Sequence, residues 1–146
     1  MTAGHLKFNW NRYIDFAEDL LKTIPKDEED EVKERCGISR AYYGAFHRAQ
    51  NYLNKIGITV DVKDKGSHNR VIDEFNTIGK SNRLWAGIGL ELNRLKIQRQ
   101  KADYHDRYFE AIEKFSKLRN ELEKSVSRAR YIVEKIDEIE EREGKQ

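Results

Sequence analysis

Apolar residues recur at steps of three and four along most of the chain, and this spacing places side chains on one face of an α-helix. The clearest case lies in residues 81–102, where Leu84, Ile88, Leu92 and Leu95 share a face. No segment shows a convincing strand pattern of strict apolar and polar alternation. A single proline in 146 residues leaves room for long helices. The sequence therefore predicts an all-α protein.

Five helical segments follow from this periodicity, separated by short connections. We expect an up-and-down bundle of four to five helices forming a single domain over residues 1–146. Residues 57–66 have glycine at both ends and no helical period, which indicates a surface loop or a brief extended segment. The last residues, from about 137 to 146, are mostly charged, and we expect them to fray or project. The predicted helices cover residues 9–24, 27–56, 68–78, 81–102 and 108–141.

The second predicted helix carries two local signals. Its first residues, 27–30, read DEED, and negative charge is favourable at a helix N-terminus; the alternative is an acidic patch that binds a partner. Further along, Ala41, Gly44, Ala45 and Ala49 form a small-residue face. Glycine inside a helix costs about 1 kcal/mol relative to alanine, so Gly44 indicates that another helix approaches closely.

Charge and composition limit the class of protein. The chain has 28 basic and 26 acidic residues, so its net charge alone does not argue for nucleic acid. Cys36 is the only cysteine, which excludes an intramolecular disulfide and favours a reducing compartment. The start of the chain lacks the pattern of a signal peptide, and the longest apolar run, AYYGAF, is too short to span a bilayer. We expect a soluble, cytoplasmic protein without membrane contact.

Common metal and cofactor motifs are absent from the sequence. The four histidines, at positions 5, 47, 68 and 105, include no pair at helical spacing. There is no HExxH, no GxxxxGK[ST], no GxGxxG and no GxSxG. The sequence therefore predicts neither a metal site nor a cofactor.

One segment, RLKIQRQKADYHDR (residues 94–107), combines several residue types that act on RNA. Continuing the stripe of the fourth helix places Arg99 inward, where an arginine is seldom buried without a partner. Arginine binds phosphate, tyrosine stacks on bases and histidine titrates near neutral pH. Arg99 with His105 could thus cleave RNA without a metal. The alternative is that Arg99 pairs with Asp103 and that His105 caps or flanks the helix end.

Three stretches, which follow one another in order along the chain, give it a family resemblance. ISRAYYGAFHRAQNYL (residues 38–53), GSHNRVIDEF (residues 66–75) and RQKADYH (residues 99–105), followed by a long helix, resemble the HEPN domain family. The likeness covers roughly residues 10–140 and is strongest to small prokaryotic members with SRAYY and R-x-x-ADY motifs.

The resemblance implies a fold, partners and a site. HEPN domains are four- or five-helix bundles that usually form homodimers. Many are metal-independent endoribonucleases of toxin–antitoxin or defence systems, often beside a minimal nucleotidyltransferase partner. Their R-x(4–6)-H active site comes from both protomers, and five residues separate Arg99 from His105. The resemblance then makes His105 the general acid or base, and Arg99 the residue that binds phosphate and stabilises charge.

The same resemblance leaves a second role open. Active members place Asn, Asp or His directly after the arginine, where this chain has Gln100. In the R-x-x-ADY subgroup the arginine and the Asp–Tyr pair, here Asp103 and Tyr104, are structural. We therefore predict a non-catalytic or degenerate helical partner or RNA-binding module, and the alternative is a metal-independent endoribonuclease. Candidate phosphate-binding or cleft residues in either case are Arg94, Lys96, Lys101, Tyr104, Tyr43 and His47.

The remaining conspicuous residues have structural interpretations. Tyr42 and Phe46 are expected in the core or at a dimer interface. His68 is expected to satisfy a helix end or a buried hydrogen bond. Arg119, Arg128 and Arg130 of the last helix are expected to be solvated, with a basic face for RNA or a partner as the alternative. The apolar stripe of that helix also leaves open whether Leu118 or Arg119 takes one inward position.

Overall fold

A computed structural model describes residues 7–61, 63, 65–106 and 117–144. Within this part of the chain all regular secondary structure is helical, which confirms the predicted all-α class. The start of the fifth predicted helix, residues 108–116, lies outside the described residues. The helices are α1 Asn11–Thr23, α2 Glu31–Lys55, α3 Ser67–Gly79, α4 Arg83–Tyr104 and α5 Leu118–Gly144.

Helix α2 is the centre of the bundle, since it packs against each of the other four helices. Its buried residues lie on more than one face of the helix. Apolar or small side chains therefore contact neighbours on several sides. Tyr42, Tyr52 and Leu53 are among its fully buried large side chains. Tyr42 and Phe46 are thus core residues, as predicted.

Only the last residue of the acidic run, Asp30, caps α2, which begins at Glu31 and not at residue 27 as predicted. The Asp30 carboxylate accepts a hydrogen bond from the Lys33 backbone N–H at 3.2 Å. This bond satisfies one of the free donors at the helix N-terminus. The helix ends before Gly57, whose φ of +93° is readily adopted only by glycine.

The starts of α3 and α4 differ slightly from the prediction. Ser67 is the first residue of α3 rather than its cap, and Gly66, with a φ of +84°, holds the cap position. Helix α4 begins two residues later than expected, because the Asn82 side chain accepts hydrogen bonds from the Leu84 and Trp85 backbone N–H groups. Asparagine in extended backbone is a favoured N-cap.

The structure does not show the fraying or projection that was expected from about residue 137. Helix α5 is regular to Gly144 and remains in contact with α2. Arg48 of α2 donates to Asp137 at 2.8 Å and also to Glu140, and the buried Tyr52 hydroxyl donates to Glu143 at 2.5 Å. A charged C-terminal sequence is therefore held by cross-helix bonds that its own composition does not reveal.

In the part of the chain that the structure describes, no helix has both the length and the apolar character needed to cross a membrane. The described residues likewise contain no group of three or more His, Cys, Asp or Glu side chains arranged to hold a metal ion.

Candidate functional site

Arg99 lies near the C-terminal end of α4 with its side chain pointing into the bundle. The stripe position predicted this direction, and the side chain is only 9% exposed. Its guanidinium carbon lies 5.2 Å from the centre of the Tyr42 ring, 5.5 Å from that of Tyr43 and 5.7 Å from that of Tyr104. Stacking of this kind on three rings stabilises a partly desolvated cation, with each contact worth about 0.5–2 kcal/mol.

Asp103 is the acidic partner of Arg99, one helical turn further along α4. Its Oδ2 lies 3.6 Å from Nη1 of Arg99, and the Ser39 hydroxyl donates to the same oxygen at 3.3 Å. The pairing predicted as the alternative to chemistry is therefore present. Arg99 Nε is buried and has no hydrogen-bond partner among the described residues. The Arg99 side chain is therefore held by its ring contacts and by its ion pair with Asp103.

His68 completes the inner side of this cluster. Its Nδ1 lies within hydrogen-bond distance of the Tyr42 hydroxyl, at 2.5 Å, and its ring packs edge-on against Phe46 with 4.2 Å between centroids. Burial, and then the positive charge of Arg99, lowers the pKa of His68 to about 4. Burial likewise raises the pKa of Tyr42. His68 is thus a neutral hydrogen-bonding partner at neutral pH, as the sequence predicted.

His105 occupies the end of α4 and is exposed. It is the C-cap residue, and its backbone N–H donates to Lys101 at 3.1 Å. Its carbonyl accepts a hydrogen bond from Arg35, which also donates through Nε to the Ala102 carbonyl at 2.7 Å. The prediction that His105 flanks the helix end is correct. Arg35 fixes that end, and sequence periodicity gave no signal for this role.

Arg99 and His105 nevertheless line the same open cleft, of about 590 Å³. Within the described part of the chain no hydrogen bond or ion pair joins their side chains. The cleft is basic and partly aromatic, and Tyr104 beside it is 73% exposed. Its lining residues are Ile97, Arg99, Gln100, Lys101, Tyr104 and His105.

The other predicted cleft residues divide between this cleft and other contacts. Tyr43 contacts Arg99, as described above. Arg94 pairs with Glu91 at 2.8 Å, and Lys96 donates to the Asn69 side chain at 2.5 Å. His47 stacks on Trp10 with 3.7 Å between ring centroids, and burial lowers its pKa. Of the predicted set, Lys101 and Tyr104 therefore lie beside Arg99 and His105 in the cleft.

Arg119 of α5 is a buried arginine that the sequence wrongly predicted as solvated. It is 8% exposed, and its Nη2 donates to the carbonyls of Leu21 at 3.2 Å and Ile24 at 2.5 Å. The end of α1 is thereby capped from another helix. The only available signal was its place beside Leu118 at the start of an apolar stripe.

The chain matches no protein-family model, no curated protein and no solved structure.

Proposed function

We propose that this chain is a non-catalytic, HEPN-like helical module of a toxin–antitoxin or defence type system, in which Arg99 joins helices instead of cleaving RNA. The observation that carries the proposal is the enclosure of the Arg99 guanidinium by three tyrosine rings and Asp103. The sequence resemblance supplies the family, and this enclosure supports the structural role within it.

The chemistry of RNA cleavage explains why this observation matters. A catalytic arginine must place its N–H groups on the phosphate that becomes more negative in the transition state. Here the Arg99 side chain is 9% exposed and already contacts an acidic partner. The His105 backbone is engaged by Arg35 and Lys101 at the helix end. The Arg99 side chain therefore has structural contacts that do not require a substrate, whereas at His105 such contacts are made by the backbone.

An exposed apolar stripe on α4 supports the homodimer that the resemblance implies. Leu90, Ile97 and Tyr104 recur at seven-residue spacing and are 49%, 43% and 73% exposed. Residues seven apart lie on one face of a helix, and such a seam suits pairing with the same helix of a second copy. The nucleotidyltransferase partner rests on the resemblance alone.

Solution mass tests the homodimer. Light scattering after size exclusion should give twice the chain mass for the wild type and the chain mass for Ile97→Asp. Val32→Asp is the matched control, because Val32 is a more exposed apolar residue, at 79%, outside the stripe. A monomeric wild type, or equal effects of the two substitutions, would refute the dimer.

Metal-free RNA cleavage tests the non-catalytic role. Purified wild-type protein is incubated with single-stranded RNA in EDTA, beside a HEPN nuclease of known activity as a positive control. We expect intact RNA from the wild type and from His105→Ala. Cleavage by the wild type that leaves a 2′,3′-cyclic phosphate, and that His105→Ala abolishes, would overturn the proposal.

That outcome would establish the second candidate function, a metal-independent endoribonuclease. The observation favouring it is that Arg99 and His105 line one open cleft together with Lys101 and Tyr104. In a dimer formed through the α4 stripe, this cleft would lie beside the seam, since Ile97 and Tyr104 belong to both. Arg99 would then bind phosphate, His105 would transfer the proton, and Tyr104 could stack on a base.

A further inference from the structure

A second surface, distant in sequence from the α4 cleft, combines exposed rings with cations that form no ion pair with a described residue. We call it the α1 surface, and it surrounds a cleft of about 390 Å³ at the start of α1. Phe8 and Phe16 are 48% and 45% exposed, which is high for phenylalanine in a folded chain. The lining residues are Phe8, Arg12, Tyr13, Phe16 and Arg40.

The two arginines of this surface differ from most others in the chain. Arg48, Arg94 and Arg130 form ion pairs with carboxylates. Within the described residues Arg12 and Arg40 form neither an ion pair nor a side-chain hydrogen bond. Arg40 instead lies over the Tyr13 ring, with its guanidinium carbon 5.2 Å from the ring centre. The guanidinium is thereby held beside the cleft by an uncharged partner and keeps its N–H groups for an anion.

Two of the three rings that line the cleft, those of Phe8 and Tyr13, are held by each other and by Trp10. Phe8 lies 4.9 Å from Trp10 and 5.6 Å from Tyr13 between ring centroids, in edge-on geometry. Trp10 lies 5.1 Å from Tyr13 and stacks on His47 of α2. The rings of Phe8 and Tyr13 are therefore ordered before a ligand arrives, which reduces the entropy that binding must offset.

We infer that the α1 surface binds single-stranded nucleic acid, with a base stacked on the rings of Phe8 and Phe16 and phosphates on Arg12 and Arg40. Such a strand alternates a planar base with an anionic phosphate, and the surface offers ring faces beside unpaired arginines. None of the described residues that line the cleft is acidic, so none of them repels a phosphate. The cleft volume is also within the range of about 300–1,000 Å³ that is usual for ligand sites.

This inference does not depend on the HEPN-like role, because it uses neither Arg99 nor His105. The α1 surface could bind a strand even if the α4 cleft neither binds nor cleaves RNA. Conversely, a nuclease acting through His105 would not require Phe16. The two proposals can therefore fail separately.

The test measures binding of the full chain to fluorescent U12 and dT12 oligonucleotides by anisotropy, in EDTA and at several salt concentrations. We expect both oligonucleotides to bind, and Phe16→Ala to raise the Kd about tenfold, as expected for the loss of one stacked base. Phe16 is an exposed helix residue, so alanine should leave the fold intact. Unfolding midpoints of each variant check this.

Salt dependence tests the arginines separately from the rings. Each phosphate contact on a single strand contributes about 0.7 to the slope of log Kd against log salt. The double variant Arg12→Gln, Arg40→Gln should therefore reduce this slope by about 1.4. Arg83→Gln is the matched control, because Arg83 is exposed and forms no ion pair with a described residue, and its slope should equal that of the wild type.

Three outcomes would overturn the inference. One is a wild type that binds neither oligonucleotide at millimolar concentration. Another is a loss of affinity that is the same in Arg83→Gln as in the double variant. The third is a Phe16→Ala protein whose binding is unchanged. If its solution mass also falls, the α1 surface is instead a contact between copies. Binding of U12 without dT12 would support the inference and restrict the ligand to RNA.

Discussion

The guanidinium carbon of Arg99 lies 5.2 Å from the centre of the Tyr42 ring, so a cation of α4 is stacked on an aromatic residue of the central helix α2. Tyr42 is 1% exposed, and its hydroxyl is also bonded to His68 near the start of α3. Three helices thus meet at one ring. This arrangement explains how a charged side chain can be buried at a position of the apolar stripe.

Replacing Arg99 should therefore destabilise the fold. Arg99→Ala removes the ring contacts and leaves Asp103 without its cation, and we expect it to lower the free energy of unfolding by about 2–3 kcal/mol. Arg99→Lys keeps the charge but loses the planar stacking, so a smaller loss of about 1 kcal/mol is expected. Urea denaturation at neutral pH measures both changes.

His105→Ala is the matched control for this prediction. Its side chain is exposed, and the bonds at the helix end use its backbone, so the expected change is within about 0.5 kcal/mol. Equal small changes for Arg99→Ala and His105→Ala would contradict a structural role for Arg99.

Two groups, the partly buried His68 and the buried Glu34, should give the protein opposing responses to pH. The pKa of His68 is lowered from 6.5 to about 4, mainly by burial and then by Arg99. Burial, followed by the neighbouring Glu29 carboxylate, raises the pKa of Glu34 from 4.5 to about 7. Between about pH 4 and 6.5 the unfolded chain binds a proton at His68 that the folded chain does not, so this group lowers stability as pH falls. Between about pH 4.5 and 7 the folded chain holds a proton at Glu34 that the unfolded chain lacks, so this group raises stability as pH falls.

Single substitutions should expose each response. On lowering the pH from about 7 to about 5, Glu34→Gln should lose more stability than the wild type does, because the opposing carboxyl effect is removed. His68→Gln should lose less, or gain, because the carboxyl effect remains. The measurement is the free energy of unfolding in urea at each pH. Variants that share the wild-type dependence on pH would contradict the assignment.

The sequence was sufficient to predict the helical fold and the inward direction of Arg99. Helical periodicity is local, so the stripe at Leu92 and Leu95 was sufficient to turn Arg99 inward. Its partners on α2, and the hold of Arg35 on the end of α4, depend on which helices become neighbours. A pattern within one helix does not contain that information, so these contacts appear only in the structure. Arg119 was misjudged for the same reason, since its partners are carbonyls on α1.

Arg119 should contribute to stability through those carbonyls. Arg119→Ala leaves the Leu21 and Ile24 carbonyls without their charged donor, and bonds of this kind are worth about 1.5–3 kcal/mol. We expect a loss of about 2–3 kcal/mol in the free energy of unfolding. Arg142→Ala is the control, because Arg142 is exposed and, among the described residues, pairs only with Glu138 in the preceding turn, which is worth about 0.5 kcal/mol or less. A larger effect at Arg142 than at Arg119 would refute the capping role.

Gly44 and Gly37 on α2 offer a matched pair for testing how closely the helices approach. A β-carbon at Gly44 would lie 2.9 Å from the Trp10 carbonyl oxygen and 2.8 Å from Ile14 Cγ1. The backbone at Trp10 cannot move aside without shifting α1. A β-carbon at Gly37 would lie 2.7 Å from Leu122 Cδ1 and 3.0 Å from Leu20 Cδ1, and both are ends of flexible side chains.

Alanine should therefore act differently at the two positions. Helix propensity should raise the free energy of unfolding by about 1 kcal/mol in both variants. Overpacking at Gly44 should lower it by about 1–3 kcal/mol, so that Gly44→Ala is less stable than the wild type. Gly37→Ala should be neutral or stabilising, because the two leucines can rotate. Thermal or urea unfolding of the two variants gives the comparison directly. A Gly44→Ala protein more stable than Gly37→Ala would show that α1 does not pack on α2 as closely as 2.9 Å requires, and the small residues of α2 would then need another explanation.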